Sequence, residues 1–167
     1  MNNNIKIILR AVILILSQVL IGNQMRIFDY INPQWCILFV LWYPIRTEKS
    51  TILLPSFLFG LALDFFGNSG GINAASFTLI AFLRLSIFKR LLSQNELHMK
   101  AFKYNNYGTA TMIAMVFSLA FLHHLMLFSL SYFDVSFAWT IVWKSFVSSI
   151  FTTFVTVVFI SIFSPNK

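Results

Sequence analysis

Residues 51–84 read TILLPSFLFGLALDFFGNSGGINAASFTLIAFLR and hold most of two apolar runs, Thr51–Phe66 and Ile72–Phe88. The five residues between the runs predict a tight turn, because glycine accepts a positive φ and Asn and Ser favour turns. Each run contains a single charged residue, Asp64 in the first and Arg84 in the second. Because long apolar runs with almost no charge are typical of membrane helices, the stretch predicts a hairpin of two such helices.

The composition of the whole chain agrees with this interpretation. Of its 167 residues 58% are apolar and 10% are charged, whereas soluble domains have about 25% charged residues. A soluble fold would lack the charges to cover its surface, and intrinsic disorder requires low hydrophobicity. At about 20 residues per span, the length allows no more than about six or seven spans and no separate soluble domain. We therefore expect one polytopic membrane domain over residues 1–167.

Six apolar runs predict six membrane helices. The first has no small-residue cleavage site after it, so we interpret it as a retained helix rather than a signal peptide. The second is short, about 16 Å as a helix against a hydrocarbon core of about 30 Å. Either this helix starts earlier, in the polar stretch before it, or it crosses only part of the bilayer. The runs are Ile7–Gly22, Trp35–Ile45, Thr51–Phe66, Ile72–Phe88, Thr109–Tyr132 and Trp139–Phe163.

The basic residues predict the orientation of these helices. The net charge of +7 therefore reports topology and not affinity for nucleic acid, because cytoplasmic loops of membrane proteins are rich in Lys and Arg. Six spans with cytoplasmic termini leave only Arg26 outside, whereas five spans separate the charges less well. The cytoplasmic set is Lys6, Arg10, Arg46, Lys49, Lys89, Arg90, Lys100, Lys103 and Lys167.

Three ionisable residues lie within the predicted spans, and each is a functional candidate because charge inside a bilayer is costly. Asp64 is expected near the outer end of its helix, and Lys144 at a similar depth in the last helix, so we hypothesise an ion pair between them. The alternatives are solvation of Asp64 at the helix end and snorkelling of Lys144 to the interface. Arg84 is expected about 18 Å from the outer surface, too deep to pair with Asp64, and snorkelling to the nearest interface is the alternative to a functional role.

Small and polar residues also form stripes on two helices. Ser56, Gly60 and Asp64 are four residues apart and share one face, and small residues at this spacing let membrane helices approach closely. The last helix has a similar face, formed by Ser145, Ser148, Ser149, Thr152, Thr153 and Thr156. We interpret both faces as internal packing surfaces, with a transport pathway as the alternative.

No catalytic, cofactor-binding or metal site is predicted. His123 and His124 are adjacent and point about 100° apart, so they lack the i,i+4 spacing of metal-binding histidines on one helix. No nucleophile, base and acid are spaced as a catalytic set. Cys36 is the single cysteine, so no disulfide forms within the chain.

The order of these features resembles the rod shape-determining protein MreD family. The resemblance rests most on residues 60–75, from Gly60 through Asp64 and the glycine-rich turn to Ala75. Gln18, the pair Asn32-Pro33 and the short aromatic span that ends in Tyr43-Pro44 also resemble the family. It extends over nearly the whole chain in length and in the order of spans.

The resemblance implies a non-enzymatic component of the bacterial cell-elongation machinery, located in the inner membrane. The family's partners are membrane lipid, MreC, the cytoskeletal protein MreB, and the wall synthases, which are a SEDS glycosyltransferase and a class B penicillin-binding protein. It also implies a bundle of six transmembrane helices, similar to the substrate-binding components of energy-coupling-factor transporters. A small-solute carrier of that kind is the alternative function, although the first helix lacks the Ala-x-x-x-Ala face by which such components dock.

The orientation can be tested by cysteine-accessibility labelling of intact cells. Cysteines placed near Lys100 and at Glu48 should both be protected from an impermeant reagent added outside, because both positions are expected to be cytoplasmic. Labelling near Lys100 would refute the orientation. Labelling at Glu48 alone would show that the second helix does not return the chain to the cytoplasm.

Overall fold

The computed structural model describes residues 3–25, 31–44, 50–93 and 108–163. Several basic residues used to predict the orientation lie outside the described residues, as do Glu48 and most of the loop at 89–107. These basic residues are Arg26, Arg46, Lys49, Lys100, Lys103 and Lys167.

The described residues form helices and no β-strand. Two short 3-10 turns accompany them, Gly22–Gln24 after the first helix and Val135–Phe137 before the last. The α-helices are α1 (Asn3–Leu20), α2 (Ile37–Trp42), α3 (Ser50–Gly67), α4 (Ile72–Leu91), α5 (Thr109–Tyr132) and α6 (Ala138–Phe163).

Four segments, those of α1, α4, α5 and α6, are long and apolar enough to cross a membrane, and α3 provides a shorter apolar helix. The helical membrane class predicted from the sequence is therefore confirmed. The described residues contain six α-helices, and the second one is short, as predicted. With six residues, α2 is about 9 Å long, and a hydrocarbon core of about 30 Å is too thick for it to span.

The segment that contains α2 nevertheless runs antiparallel to α1. Near its start, the carbonyl of Pro33 accepts a hydrogen bond from Gln18, close to the C-terminal end of α1. Near its end, Tyr43 shares a small cavity with Ile7 and Arg10 in the N-terminal half of α1. The chain therefore reverses direction at α2 even though the helix itself is short.

The core is built by contacts between successive helices. The main pairs are α3 with α4, α4 with α5, and α5 with α6. A series of ring contacts crosses the bundle, in which Phe59 of α3 stacks on Phe39 of α2 at 4.3 Å between centroids and meets Phe77 of α4 edge-on at 5.1 Å. Phe77 in turn meets His123 of α5 at 4.6 Å. Stacked and edge-to-face pairs of this kind add to the stabilisation from burial.

A close helix crossing lies at Gly60, on the small-residue stripe predicted from the sequence. A Cβ atom built at Gly60 would lie 2.6 Å from the Cα of Ala74 and 2.7 Å from the carbonyl oxygen of Asn73. Both atoms belong to the backbone of α4, which has no flexible end to move aside. The α3–α4 crossing therefore requires glycine at position 60.

A matched pair of substitutions on α3 tests this crossing. Gly60→Ala should destabilise the protein by roughly 1–3 kcal/mol, because overpacking against backbone forces the helices apart. Gly67→Ala is the control, since its new Cβ would meet only Ser69 Oγ at 3.5 Å. The readouts are the melting temperature and the folded yield in detergent, and Gly60→Leu should lower both further. If Gly60→Leu matches the wild type, the close approach has no energetic role.

Candidate functional site

The carboxylate of Asp64, on the last turn of α3, lies at the N-terminus of α4. Its Oδ1 accepts hydrogen bonds from the backbone N–H and the side-chain amide of Asn73, at 2.9 and 3.1 Å. Its Oδ2 accepts from the backbone N–H of Ala74 at 2.8 Å, and the Ser69 hydroxyl also donates to Oδ1. The Asp64 side chain is buried, so these donors replace the water it has lost.

The local sequence explains why α4 needs a carboxylate from another helix. The N-cap residue of α4 is Gly71, which has a φ of 94° and no side chain that can cap. A capping side chain usually accepts from the second or third residue of the helix, and these residues are Asn73 and Ala74. Asp64 bonds both N–H groups and also places negative charge at the positive end of the helix dipole.

The ion pair hypothesised between Asp64 and Lys144 is not formed. The contacts of Asp64 among the described residues are with Ser69, Asn73 and Ala74. Lys144 instead donates a hydrogen bond to the Tyr132 hydroxyl, and its ammonium lies 5.2 Å from the centre of that ring. A similar depth along two helices did not bring the groups together, because the next helix along the chain supplies donors closer to Asp64.

Arg84 joins α4 to the C-terminal end of α2. Its guanidinium donates to the carbonyl oxygen of Leu41 at 3.2 Å and to that of Tyr43. The last carbonyls of a helix have no partner within the helix, and they form the negative end of its dipole. Arg84 also lies over the ring of Phe88 at 5.0 Å. The Arg84 side chain is therefore buried against α2, where it binds backbone carbonyls.

The start of the α2 segment is held by side chains from two other helices. The indole N–H of Trp35 donates to Ser17 Oγ of α1 at 3.0 Å. The backbone N–H of Gln34 donates to Thr152 Oγ1 of α6 at 3.2 Å, and that hydroxyl is 2.9 Å from a ring nitrogen of His124. Non-helical backbone at membrane depth is tolerated where protein groups satisfy it, and these contacts do so.

The predicted small-residue faces lie inside the bundle. Ser56, Gly60 and Asp64 are buried, as are the hydroxyl residues of the α6 face. Ser145 and Thr153 donate to carbonyls one turn earlier in α6, at 2.7 Å in both cases. A partner protein therefore cannot touch these faces in this conformation. Of the five residues predicted as structural or partner candidates, Ser56, Gly60, Asp64 and Arg84 are buried, and Lys144 is half-buried.

His123, His124 and Cys36 are also buried among the helices. Within the part of the chain that the structure describes, no three His, Cys, Asp or Glu side chains are grouped as metal ligands. His123 packs against Phe77, and the thiol of Cys36 donates to the carbonyl oxygen of Leu14 at 3.3 Å. The geometry accordingly indicates structural roles for these side chains.

The capping role of Asp64 can be separated from an ionic role by a double-mutant cycle. Asp64→Leu should destabilise the protein by roughly 1–3 kcal/mol, because two buried N–H groups lose their acceptor. Asp64→Asn keeps one acceptor oxygen and should cost less. Lys144→Met should add to either change without interaction, measured by melting temperature in detergent. Partial rescue of Asp64→Leu by Lys144→Met would instead reveal an ion pair.

Comparison with known proteins identifies the family. A family model described as rod shape-determining protein MreD matches residues 3–162, which is nearly the whole chain. No curated protein and no solved structure matches the chain. The similarity to substrate-binding components of energy-coupling-factor transporters thus stays a prediction. With several apolar helices and this match, the chain is a multi-pass membrane protein that belongs to the MreD family of rod shape-determining proteins.

Proposed function

We propose that the chain is a non-enzymatic component of the cell-elongation machinery in the bacterial inner membrane. In this role it binds MreC and links it to MreB and to the SEDS and penicillin-binding wall synthases. The observation that carries the proposal is the family match over residues 3–162. The family is known as a structural determinant of rod shape and not as an enzyme family.

The proposed topology has both termini in the cytoplasm. Support comes from the contacts that show the chain reversing direction at α2, between α1 and α3. The Tyr43 hydroxyl donates to the carbonyl of Thr51 at 3.0 Å, so the end of the α2 segment lies beside the start of α3. The distribution of Lys and Arg in the sequence then favours a cytoplasmic location for that end.

The polar chemistry of the bundle favours a scaffold over an enzyme or a carrier. Asp64 and Arg84 bind backbone groups at helix ends. A carrier requires polar groups that converge on one site near the midplane, and a catalyst requires an acid and a base within reach. Asp64 and Lys144, the two ionisable residues expected at a similar depth, have different partners.

The partner surface that we favour is the exposed face of α1. Of the four helices long enough to span, α1 is the least buried within the chain, so it has the most surface free for another helix. Packing in lipid depends on such helix surfaces, because water does not drive association there. The face consists of Ile5, Ile8, Leu9, Val12, Ile13, Leu16 and Leu20.

Co-purification of MreC with the tagged full-length chain tests the proposal. Ile13→Trp on α1 should reduce MreC recovery about tenfold, equivalent to about 1.4 kcal/mol, because the indole disrupts helix packing. Ile150→Trp on α6 is the matched control, since both isoleucines are about half exposed, at 56% and 50%. Melting temperatures of both variants should equal that of the wild type.

Each outcome of the co-purification experiment supports or excludes a particular partner surface or function. Loss of MreC with Ile150→Trp alone would move the partner surface to α6, and no loss with either variant would exclude both faces. If MreC does not co-purify with the wild type, the proposed function itself fails. Recovery of ATPase and coupling subunits instead would support the carrier.

A further inference from the structure

A polar cavity of ≈ 180 Å³ lies where the C-terminal end of α1 meets the turn between α3 and α4. One water needs only roughly 10–15 Å³ of such space, so the cavity can hold a small molecule. Five of its lining side chains are amides. The polar lining residues are Gln18, Asn23, Asn32, Gln34, Ser69 and Asn73.

Four of these amides have a buried carbonyl oxygen without a hydrogen-bond donor among the described residues: Gln18, Asn32, Gln34 and Asn73. Two of the side chains are almost completely buried, Gln18 at 1% and Gln34 at 7% exposure. A buried acceptor without a donor costs roughly 1–3 kcal/mol. The cavity beside these oxygens is the space from which donors can reach them.

Neighbouring groups fix the orientation of two of these amides. The Gln18 Nε2 donates to the carbonyl of Pro33 at 2.9 Å, and a carbonyl can only accept. The Asn73 Nδ2 donates to the Asp64 carboxylate at 3.1 Å. Rotating either amide would place oxygen against oxygen, so the unpaired atoms at Gln18 and Asn73 are oxygens.

The charge of the lining restricts the ligand. Among the described residues the lining contains no charged side chain. Among the described residues, the carboxylate that adjoins the lining is that of Asp64, and four donors already occupy it. Among the residues that the structure describes, a cation would find no uncommitted anionic ligand at this cavity. Hydroxyl groups suit the lining better, because each can donate to an amide oxygen and accept from an amide N–H.

We propose that this cavity binds a neutral polyhydroxyl group, such as a pyranose sugar ring. Its hydroxyls donate to the amide oxygens of Gln18, Asn32, Gln34 and Asn73. The site is distinct from the exposed face of α1. It also adjoins the Asp64 cap through Ser69 and Asn73, so an occupant stabilises the start of α4.

The probe is D-glucose, added to the full-length protein in a detergent without a sugar headgroup. We expect a saturable rise of about 3 °C in the melting temperature, because a ligand that binds only the folded state stabilises it. Gln34→Leu and Asn32→Leu should each abolish most of this rise. Gln24→Leu is the control, since that amide is exposed on the neighbouring 3-10 turn and does not line the cavity.

The basal melting temperature separates binding from folding. Gln34→Leu removes an unpaired acceptor, so the variant without glucose should melt no lower than the wild type. If it fails to fold, Asn32→Leu provides the same test. No glucose effect on the wild type, or an equal effect on the cavity variants, would overturn the proposal. A rise with choline or calcium chloride and not with glucose would also overturn it, in favour of a cation site.

Discussion

A helix end buried inside the protein leaves backbone N–H and C=O groups without water, and this constraint governs the structure. The N-terminus of α4 is satisfied by the carboxylate of Asp64, and the C-terminus of α2 by the guanidinium of Arg84. Two of the few charges inside the bundle thus bind backbone rather than each other. Each also carries the sign that the dipole of the capped helix favours.

The same constraint positions the helices around these ends. Gly60 and Asp64 lie one turn apart on α3, and both contact the first turn of α4. Gly60 packs closely against the backbone of Asn73 and Ala74, and Asp64 accepts hydrogen bonds from the N–H groups of the same two residues. The crossing and the cap therefore fix α4 at one point. Further along α4, the ring of Phe77 packs against His123 of α5. The neighbouring His124 reaches Thr152, which holds the start of the α2 segment.

The spacing of residues along the sequence predicted those features that depend on a single helix. The four-residue spacing identified the buried faces and the close approach at Gly60, because side-chain direction along a helix is fixed by geometry. The family followed from the residues around Asp64 and is confirmed by the match. The second helix was recognised as short, although not as short as six residues.

Hydrogen-bond partners on different helices were not predictable in the same way. The hypothesis for Asp64 compared depths along helices, but its donors lie in the turn that follows it and in the first turn of the next helix. The contact of Arg84 with α2 was not predicted, because nothing in the sequence shows that the end of α2 lies beside it. The amide cluster has a signal that was overlooked, because three of its five amides, Asn23, Asn32 and Gln34, lie between two apolar runs.

The supports of α2 have a consequence for the order in which the protein is made. Arg84, which caps its end, follows Tyr43 by 41 residues, and Thr152, which holds its start, follows Gln34 by 118 residues. A ribosome therefore delivers this segment long before its hydrogen-bond partners exist. Its backbone cannot settle at membrane depth until they arrive. We therefore expect the second segment of the chain to be among the last to reach its final position, out of the order of synthesis.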